Sequence, residues 1–354
     1  MKKTHRQGVG LVLGKFLPPH QGHQLLFDFA CAYAQQVIVL VGTLEREPIC
    51  GALRHEWVQQ MCAKHGERVK VVHLDDENPQ YPEEDPAFWD IWRQSILARC
   101  HTPPDYVFAS EDYGAPLAEV LGATYVALDP SRSMRPVSAT MVRQDPLKHW
   151  KWLPEVVRPH FLGRVCVFGP ESTGKSTLCR QLARHYDTIH VPEYARGLIE
   201  AQGGHLAPED MVRIARGQAA LEEALAAEAR GLLFCDTDVL TTTLWSEELF
   251  GACDPWLRAN AHVNPADLTL LMDVDLPWED DVVRYRPHQR QEFFERCEAA
   301  LRANHRPYCI IRGEADARLR AAVEAVDAFF AGGHPRFDAL RSYSTAPNLP
   351  SSKD

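Results

Sequence analysis

The chain has 354 residues, enough for two domains, and 45% of them are hydrophobic, enough for sizeable buried cores. Its formal net charge is −10 and no run of Lys or Arg occurs, which argues against a nucleic-acid binder held by phosphate charge. Ten cysteines form no C-x-x-C pair, and Cys166, Cys235 and Cys309 sit inside apolar runs, which points to small buried hydrophobes in a reducing compartment.

The opening stretch, MKKTHRQGVGLVLGKF, has a short apolar run broken by Lys15, so it does not read as a secretory signal. No stretch of about eighteen apolar residues follows, so a cytoplasmic protein without membrane insertion is expected. Apolar runs predict strands over Gly8–Leu13, Val37–Gly42, Val69–Leu74, Tyr106–Ser110 and Tyr125–Leu128. Helical patterns fall between them at Gly22–Gln35, Leu53–His65, Phe88–Arg99 and Pro116–Leu121. This β-α alternation predicts an α/β fold with a parallel sheet covered on both faces. Residues 146–163, rich in Trp, Pro and His, read as a helical connector. A second series then offers strands at Val165–Phe168, Thr188–Val191, Leu232–Asp236, Leu268–Val274 and Cys309–Arg312. Its helices are predicted at Lys175–His185, Pro208–Arg230, Arg290–Ala303 and Ala315–Ala331. The expected organisation is a domain over 1–145, the connector, a second domain with its own parallel sheet over 164–331, and a disordered tail over 332–354.

The strongest motif lies in the second domain. GPESTGKST fits G-x-x-x-x-G-K-[ST], with an apolar strand before it and a helical pattern after it. In that setting the amides of Gly169, Glu171, Ser172, Thr173, Gly174, Ser176 and Thr177 can cradle phosphates at a helix N-terminus. Lys175 would reach the β- and γ-phosphates of ATP, and Ser176 would ligate Mg²⁺. The run LLFCDTD supplies carboxylates: Asp236 or Asp238 could hold the ion or activate a substrate hydroxyl. VPEYARG places Glu193, Tyr194 and Arg196 just after a strand, where an acceptor would bind, with Glu193 a third candidate base. PWEDDVVRYRPHQR sets Trp278 near Arg284, Arg286 and Arg290, a composition suited to a lid that neutralises phosphate charge. Trp278 or Tyr194 could stack on a ring, though either alone is more often a packing residue.

The first domain carries GKFLPPHQGH between its first strand and first helix. Gly14 permits a tight turn, Pro18 and Pro19 stiffen the loop, and Gly22 allows close backbone approach. His20 and His23 would face phosphates at the positive end of the helix. A metal site is the competing reading, but two histidines three apart need a third ligand that the neighbourhood does not offer.

G-x-F-x-P-x-H-x-G-H resembles the signature of the nucleotidyltransferase superfamily, which includes pantetheine-phosphate, FMN and NMN adenylyltransferases. The resemblance implies a Rossmann-like domain in which Lys15, Phe16, His20 and His23 meet ATP, with no protein nucleophile. VSATMVRQDP is similar to the second motif of that family and implies Ser138, Thr140 and Arg143 as phosphate contacts. An HxGH domain followed by a P-loop domain resembles the NadR-type bifunctional family, an NMN adenylyltransferase joined to a ribosylnicotinamide kinase, over residues 8 to 331. That resemblance implies Trp89 or Trp92 near the nicotinamide, where packing on a helix would be the reading otherwise, and makes Arg54, Asp129 and Arg132 weaker site candidates. Some relatives carry an N-terminal helix-turn-helix module and repress transcription; here the first strand starts near residue 8, so no operator binding is expected. Relatives tend to have glycine where Val282 follows Asp281, which bears on the lid. The implied small-molecule partners are ribosylnicotinamide, NMN, ATP and the product NAD, with Mg²⁺ as cofactor and a homo-oligomer compatible with the sequence. The rivals are an adenylyltransferase or kinase for another nucleotide or nucleoside, and a nucleotide-sensing regulator.

Overall fold

The computed structural model describes residues 6–279, 288–331 and 337–345. The chain divides into two compact units, one within residues 1–157 plus 336–354 and the other within 158–335. The first unit runs β1 (Val9–Gly14), α1 (Gln21–Tyr33), β2 (Gln36–Gly42), α2 (Gly51–Cys62), β3 (Val69–Leu74), α3 (Phe88–Arg99), β4 (Tyr106–Ala109), α4 (Gly114–Leu121), β5 (Thr124–Ala127) and α5 (Ala139–Gln144). Its sheet has the order β3-β2-β1-β4-β5, and every pairing is parallel.

Alternate residues of the central strands bury on opposite faces, as the pleat requires. Val12, Val39 and Phe108 pack with Phe27, Ala30, Val58 and Met61, while Leu11, Leu40 and Val107 pack with Ile96, Leu117 and Ala118. Two covered faces explain why these strands read as continuous apolar runs. The chain leaves β1 for β2 on one side and later places β4 on the other. That reversal of direction opens a crevice at the carboxyl end of β1, and the GKFLPPHQGH loop lies there.

The second unit runs β6 (Gly163–Phe168), α6 (Lys175–His185), β7 (His190–Val191), α7 (Tyr194–Ala201), α8 (Asp210–Ala226), β8 (Leu232–Asp236), α9 (Val239–Phe250), α10 (Pro255–Asn260), β9 (Leu268–Met272), α11 (Arg290–Ala303), β10 (Tyr308–Ile311) and α12 (Ala315–Phe330). The sheet order is β10-β9-β6-β8-β7, again parallel throughout. The central strand β6 is followed directly by the GPESTGKST loop and α6.

Three expectations need correction. The connector holds only short 3₁₀ turns, Trp150–Trp152 and Arg158–Phe161, and Phe161 and Leu162 at its end are fully buried. Residues 337–345 of the expected disordered tail are ordered: α13 (Asp338–Thr345) follows buried Phe337 and buries Leu340. Helix α9 was not foreseen, because its Thr-Thr-Thr run has low helix propensity. Asp238 starts it as an N-cap, accepting from the Thr241 amide at 3.1 Å, and Gly251 ends it at φ 68°. Every cysteine is unbridged, and no helix among the described residues is long and apolar enough to cross a membrane.

Two candidate phosphate-binding sites

The loop after β1 opens onto a cavity of about 720 Å³ lined by Lys15, His20, His23, Trp89, Trp92 and Arg132, among others. His20 caps α1 with its ring: Nδ1 accepts from the Gly22 amide at 3.1 Å. His23 Nδ1 in turn accepts from the His20 amide at 3.2 Å. With both Nδ1 atoms used as acceptors, each neutral ring carries its proton on Nε2. The rings stack with centroids 3.7 Å apart. Gly22 is required by this stack, since a Cβ there would meet the His20 ring at 2.9 Å. Burial, and then the Arg132 charge, lower His20 to about 3. Burial, His20 and Arg132 likewise hold His23 well below the usual histidine value. The pair is therefore neutral at physiological pH.

Phe16 and Gly14 both line the cavity and also support the histidine pair. Gly14 ends β1 without a left-handed turn, and its bare Cα is covered by the Phe16 ring. That ring is buried and packs edge-on against His23 and Phe27, so it supports the histidines from beneath. The metal reading of the histidines gains no third ligand: no group of three or more His, Cys, Asp or Glu able to hold an ion occurs among the described residues.

The second motif closes the same cavity. Ser138 caps α5, accepting from the Met141 amide at 3.2 Å. Buried Arg143 donates to the Leu17 carbonyl at 2.5 Å and to Thr140 Oγ1 at 3.0 Å, tying the two motifs together. Asp129 works through its loop: its carboxylate accepts from the amides of Ser133, Met134 and Arg135 at 2.8, 2.9 and 3.2 Å. That brace holds Asp129 and Arg132 at φ 48° and 52° and keeps Arg132 and Arg135 on the cavity wall. Trp89 and Trp92 also line the cavity, with Trp92 Nε1 donating to the Pro79 carbonyl at 2.8 Å. Arg54 is a correction. It is fully buried and lies outside the lining, where it donates to the carbonyls of Lys15 and Ile49 at 2.6 and 3.1 Å and pairs with Glu47. It props the motif loop instead of meeting a ligand. Gln80, Tyr81 and Tyr113, which no motif singled out, also line the cavity.

In the second unit the loop after β6 opens onto a cavity of about 640 Å³. Gly169, at φ 131°, approaches the Met272 backbone of the neighbouring strand so closely that a Cβ would sit 3.0 Å from its carbonyl. Glu171, Ser172, Thr173, Gly174, Lys175, Ser176 and Thr177 all line the cavity. Lys175 Nζ donates to the Pro170 carbonyl at 2.7 Å, and Thr173 Oγ1 to the same carbonyl at 2.8 Å. Two arginines that sequence reasoning did not assign to this role brace the loop, and one of them, Arg318, also lines the cavity. Buried Arg318 donates to the Thr173 carbonyl at 3.0 Å and pairs with Asp275, and Arg290 donates to the Ser172 carbonyl at 3.2 Å.

The carboxylates separate cleanly. Asp236 is 2% exposed, and its Oδ1 has no hydrogen-bond partner among the described residues. Asp236 is not itself on the cavity wall, but it lies within electrostatic reach of Glu193, which is, and such an orphaned oxygen at the end of β8 fits a cation with its water shell. Asp238 is committed elsewhere, to the α9 cap and an ion pair with buried Arg306, which removes it as a candidate base. Glu193 lines the cavity, and burial, opposed by Lys175 and helped by Asp236, pushes it up to about 7. Arg196 is there too, paired with Glu200 at 3.4 Å. Tyr194 and Trp278 are corrections: Tyr194 lies over Gly217 of α8, and Trp278 faces Arg290 at 5.7 Å, neither on the cavity wall. The aromatic that does line it is Trp245, stacked on Phe293 with centroids 4.1 Å apart. It sits on the unforeseen helix α9. Arg284, Arg286 and Val282 lie outside the described residues.

Fold and sites together define a two-unit α/β protein of the nucleotide-metabolising transferase class. A family model described as an AAA domain matches residues 164–318. The chain is 29% identical to the trifunctional NAD biosynthesis/regulator protein NadR of Escherichia coli (strain K12), over 92% of this chain and 83% of that protein. It is 28% identical to the protein of the same description from Salmonella typhimurium (strain LT2), over 79% and 72%. A crystal structure of NadR in complex with NR shares its fold with a TM-score of 0.75, at 24% identity over 93% of this chain and 98% of that one. A NadR structure with NAD and AMP-PNP gives 0.73, at 23% identity over 92% and 96%. The resemblance to NadR-type proteins read from the motifs therefore extends over most of the chain.

Proposed function

We propose that the chain is a two-site salvage enzyme of NAD biosynthesis, phosphorylating ribosylnicotinamide to NMN in the second unit and adenylylating NMN to NAD in the first. The observation that carries the reading is the pairing, in one NadR-like chain, of two phosphate-type loops that each open onto a separate cavity of nucleotide size.

In the kinase step the 5′-hydroxyl of the nucleoside attacks the γ-phosphorus of ATP, and ADP leaves. Glu193, whose value near 7 suits a general base at neutral pH, takes the hydroxyl proton. Lys175 shifts from the Pro170 carbonyl to the phosphates, the loop amides surround them, and Trp245 offers a face to the nicotinamide ring. Ser176 and Asp236 would hold Mg²⁺, which when bound neutralises charge on the β- and γ-phosphates.

In the adenylyl step the NMN phosphate attacks the α-phosphorus of ATP, and pyrophosphate leaves. The Nε2–H groups of His20 and His23, with Lys15, Arg132 and Arg143, steady the charge that builds on the leaving group. Trp89 and Trp92 flank the nicotinamide. Neither reaction needs a protein nucleophile, which suits two sites made of donors and cations.

Product analysis tests the reading. Ribosylnicotinamide with ATP and Mg²⁺ should give NMN and then NAD. Lys175→Ala should stop NMN formation and leave NMN-to-NAD conversion intact, and His23→Ala should do the reverse. Loss of both activities with either substitution, in a folded protein, would sink the two-site assignment.

A further inference from the structure

The first cavity has one lining residue from far along the chain: Tyr343, on α13. Its hydroxyl accepts from Lys15 Nζ at 3.5 Å and donates to Glu47 Oε1 at 3.4 Å. Lys15 itself reaches Glu47 at 3.1 Å, and the Glu47 side chain is fully buried. Burial would raise Glu47, but Arg54 and Lys15 more than offset it and keep the carboxylate ionised. The Tyr343 ring lies under the Arg143 guanidinium, 5.5 Å from centroid to Cζ. Tyr343 thus touches one cation from each of the two motifs, Lys15 after β1 and Arg143 on α5. Phe337 and Leu340, 2% and 3% exposed, pin the start of α13 in place.

We propose that Tyr343 is a positioning residue of the first site: the helix α13 completes the phosphate end of that cavity by aiming Lys15 and Arg143 at the ATP triphosphate. The proposal rests on the adenylyl-transfer reading above. Lys15 has a long, rotamer-rich side chain, and holding it by two oxygens lowers the entropy lost when phosphate binds. The aromatic face beneath Arg143 restrains its plane without using its donors.

The test uses the full chain, with both reactions measured on the same sample. Tyr343→Phe keeps the ring and loses the hydroxyl, so KM for ATP in NAD formation should rise about 3- to 10-fold. Tyr343→Ala should raise it about 10- to 100-fold, with KM for NMN moved less than twofold and ribosylnicotinamide phosphorylation unchanged. A merely structural role would lower kcat through loss of folded protein, move both KM values together, and leave Tyr343→Phe like wild type; that pattern overturns the proposal. AMP-PNP titration gives a second readout that needs no turnover. If wild type binds it at a site lost in His23→Ala and weakened in Tyr343→Ala, yet forms no NAD, the positioning role stands and the reaction assignment falls. If no His23-dependent binding exists, both fall.

Discussion

Asp236 and Asp238 stand two residues apart, and replacing each with Asn should move stability in opposite directions. Asp236 carries a buried oxygen without a partner, and a group left unmade in that way costs about 1–3 kcal/mol. Asp236→Asn still leaves a buried polar atom unpaired but removes the charge, which is the costlier part to bury, so the ligand-free second unit should gain about 1–2 kcal/mol, a 5- to 30-fold rise in amide protection. Asp238→Asn keeps the α9 cap, because Asn caps as well as Asp. It leaves Arg306, only 5% exposed at its side chain, without its ion-pair partner. Breaking such a pair costs about 3–5 kcal/mol, so protection should fall by roughly two to four powers of ten. The assay is hydrogen exchange of the β6 and β8 amides in EDTA, which reports opening of this unit alone. Turnover should follow the reverse order: Asp236→Asn loses about 100-fold or more in kinase kcat, while folded Asp238→Asn keeps most of it. An Asp236→Asn protein that is less protected than wild type, or that phosphorylates ribosylnicotinamide within threefold of it, would refute the reasoning.

Two further predictions concern pH. Kinase kcat should climb with pH through about 7 as Glu193 loses its proton, and Glu193→Gln should abolish that inflection and lower kcat about 10²- to 10⁴-fold. An inflection that survives in the Gln variant would assign the base elsewhere. In the first unit the depressed histidines contribute stability that is complete above their unfolded value of about 6.5 and is lost as pH falls toward 3. Thermal midpoints followed from pH 7 to pH 4 should therefore fall less steeply for His20→Asn than for wild type. Equal slopes would mean that His20 is not buried neutral.

The parts of this chain that were legible in sequence are those whose physics is local. β6, the GPESTGKST loop and α6 announce themselves together, because an apolar run, a glycine-permitted turn and an amphipathic helix each leave their own pattern. The sequence placed His20 and His23 together at the start of a helix, but the stack of their rings and the capping of α1 by the His20 ring appear only in the structure. Helix α9 was hidden by its threonines, which favour strands when isolated and turn helical here because Asp238 and Gly251 cap a buried segment. With α9 went Trp245, while Tyr194 and Trp278 drew attention for standing beside charged residues.

Burial is the other quantity a sequence does not print, and it sorts groups that look alike. Asp236 and Asp238 are one residue type at the end of one strand, but only Asp238 faces Arg306, which comes from 68 residues away. Arg54 and Arg143 are both buried cations of the first unit, yet one sits below the loop and the other on the cavity wall. Tyr343 is the extreme case: 328 residues separate it from Lys15, and its own neighbourhood of Ser, Thr and Pro reads as a tail. Its role follows only once Phe337 and Leu340 are seen to bury. A site assembled from both ends of a chain is thus least legible where its last element arrives, and the Tyr343 variants probe that element directly.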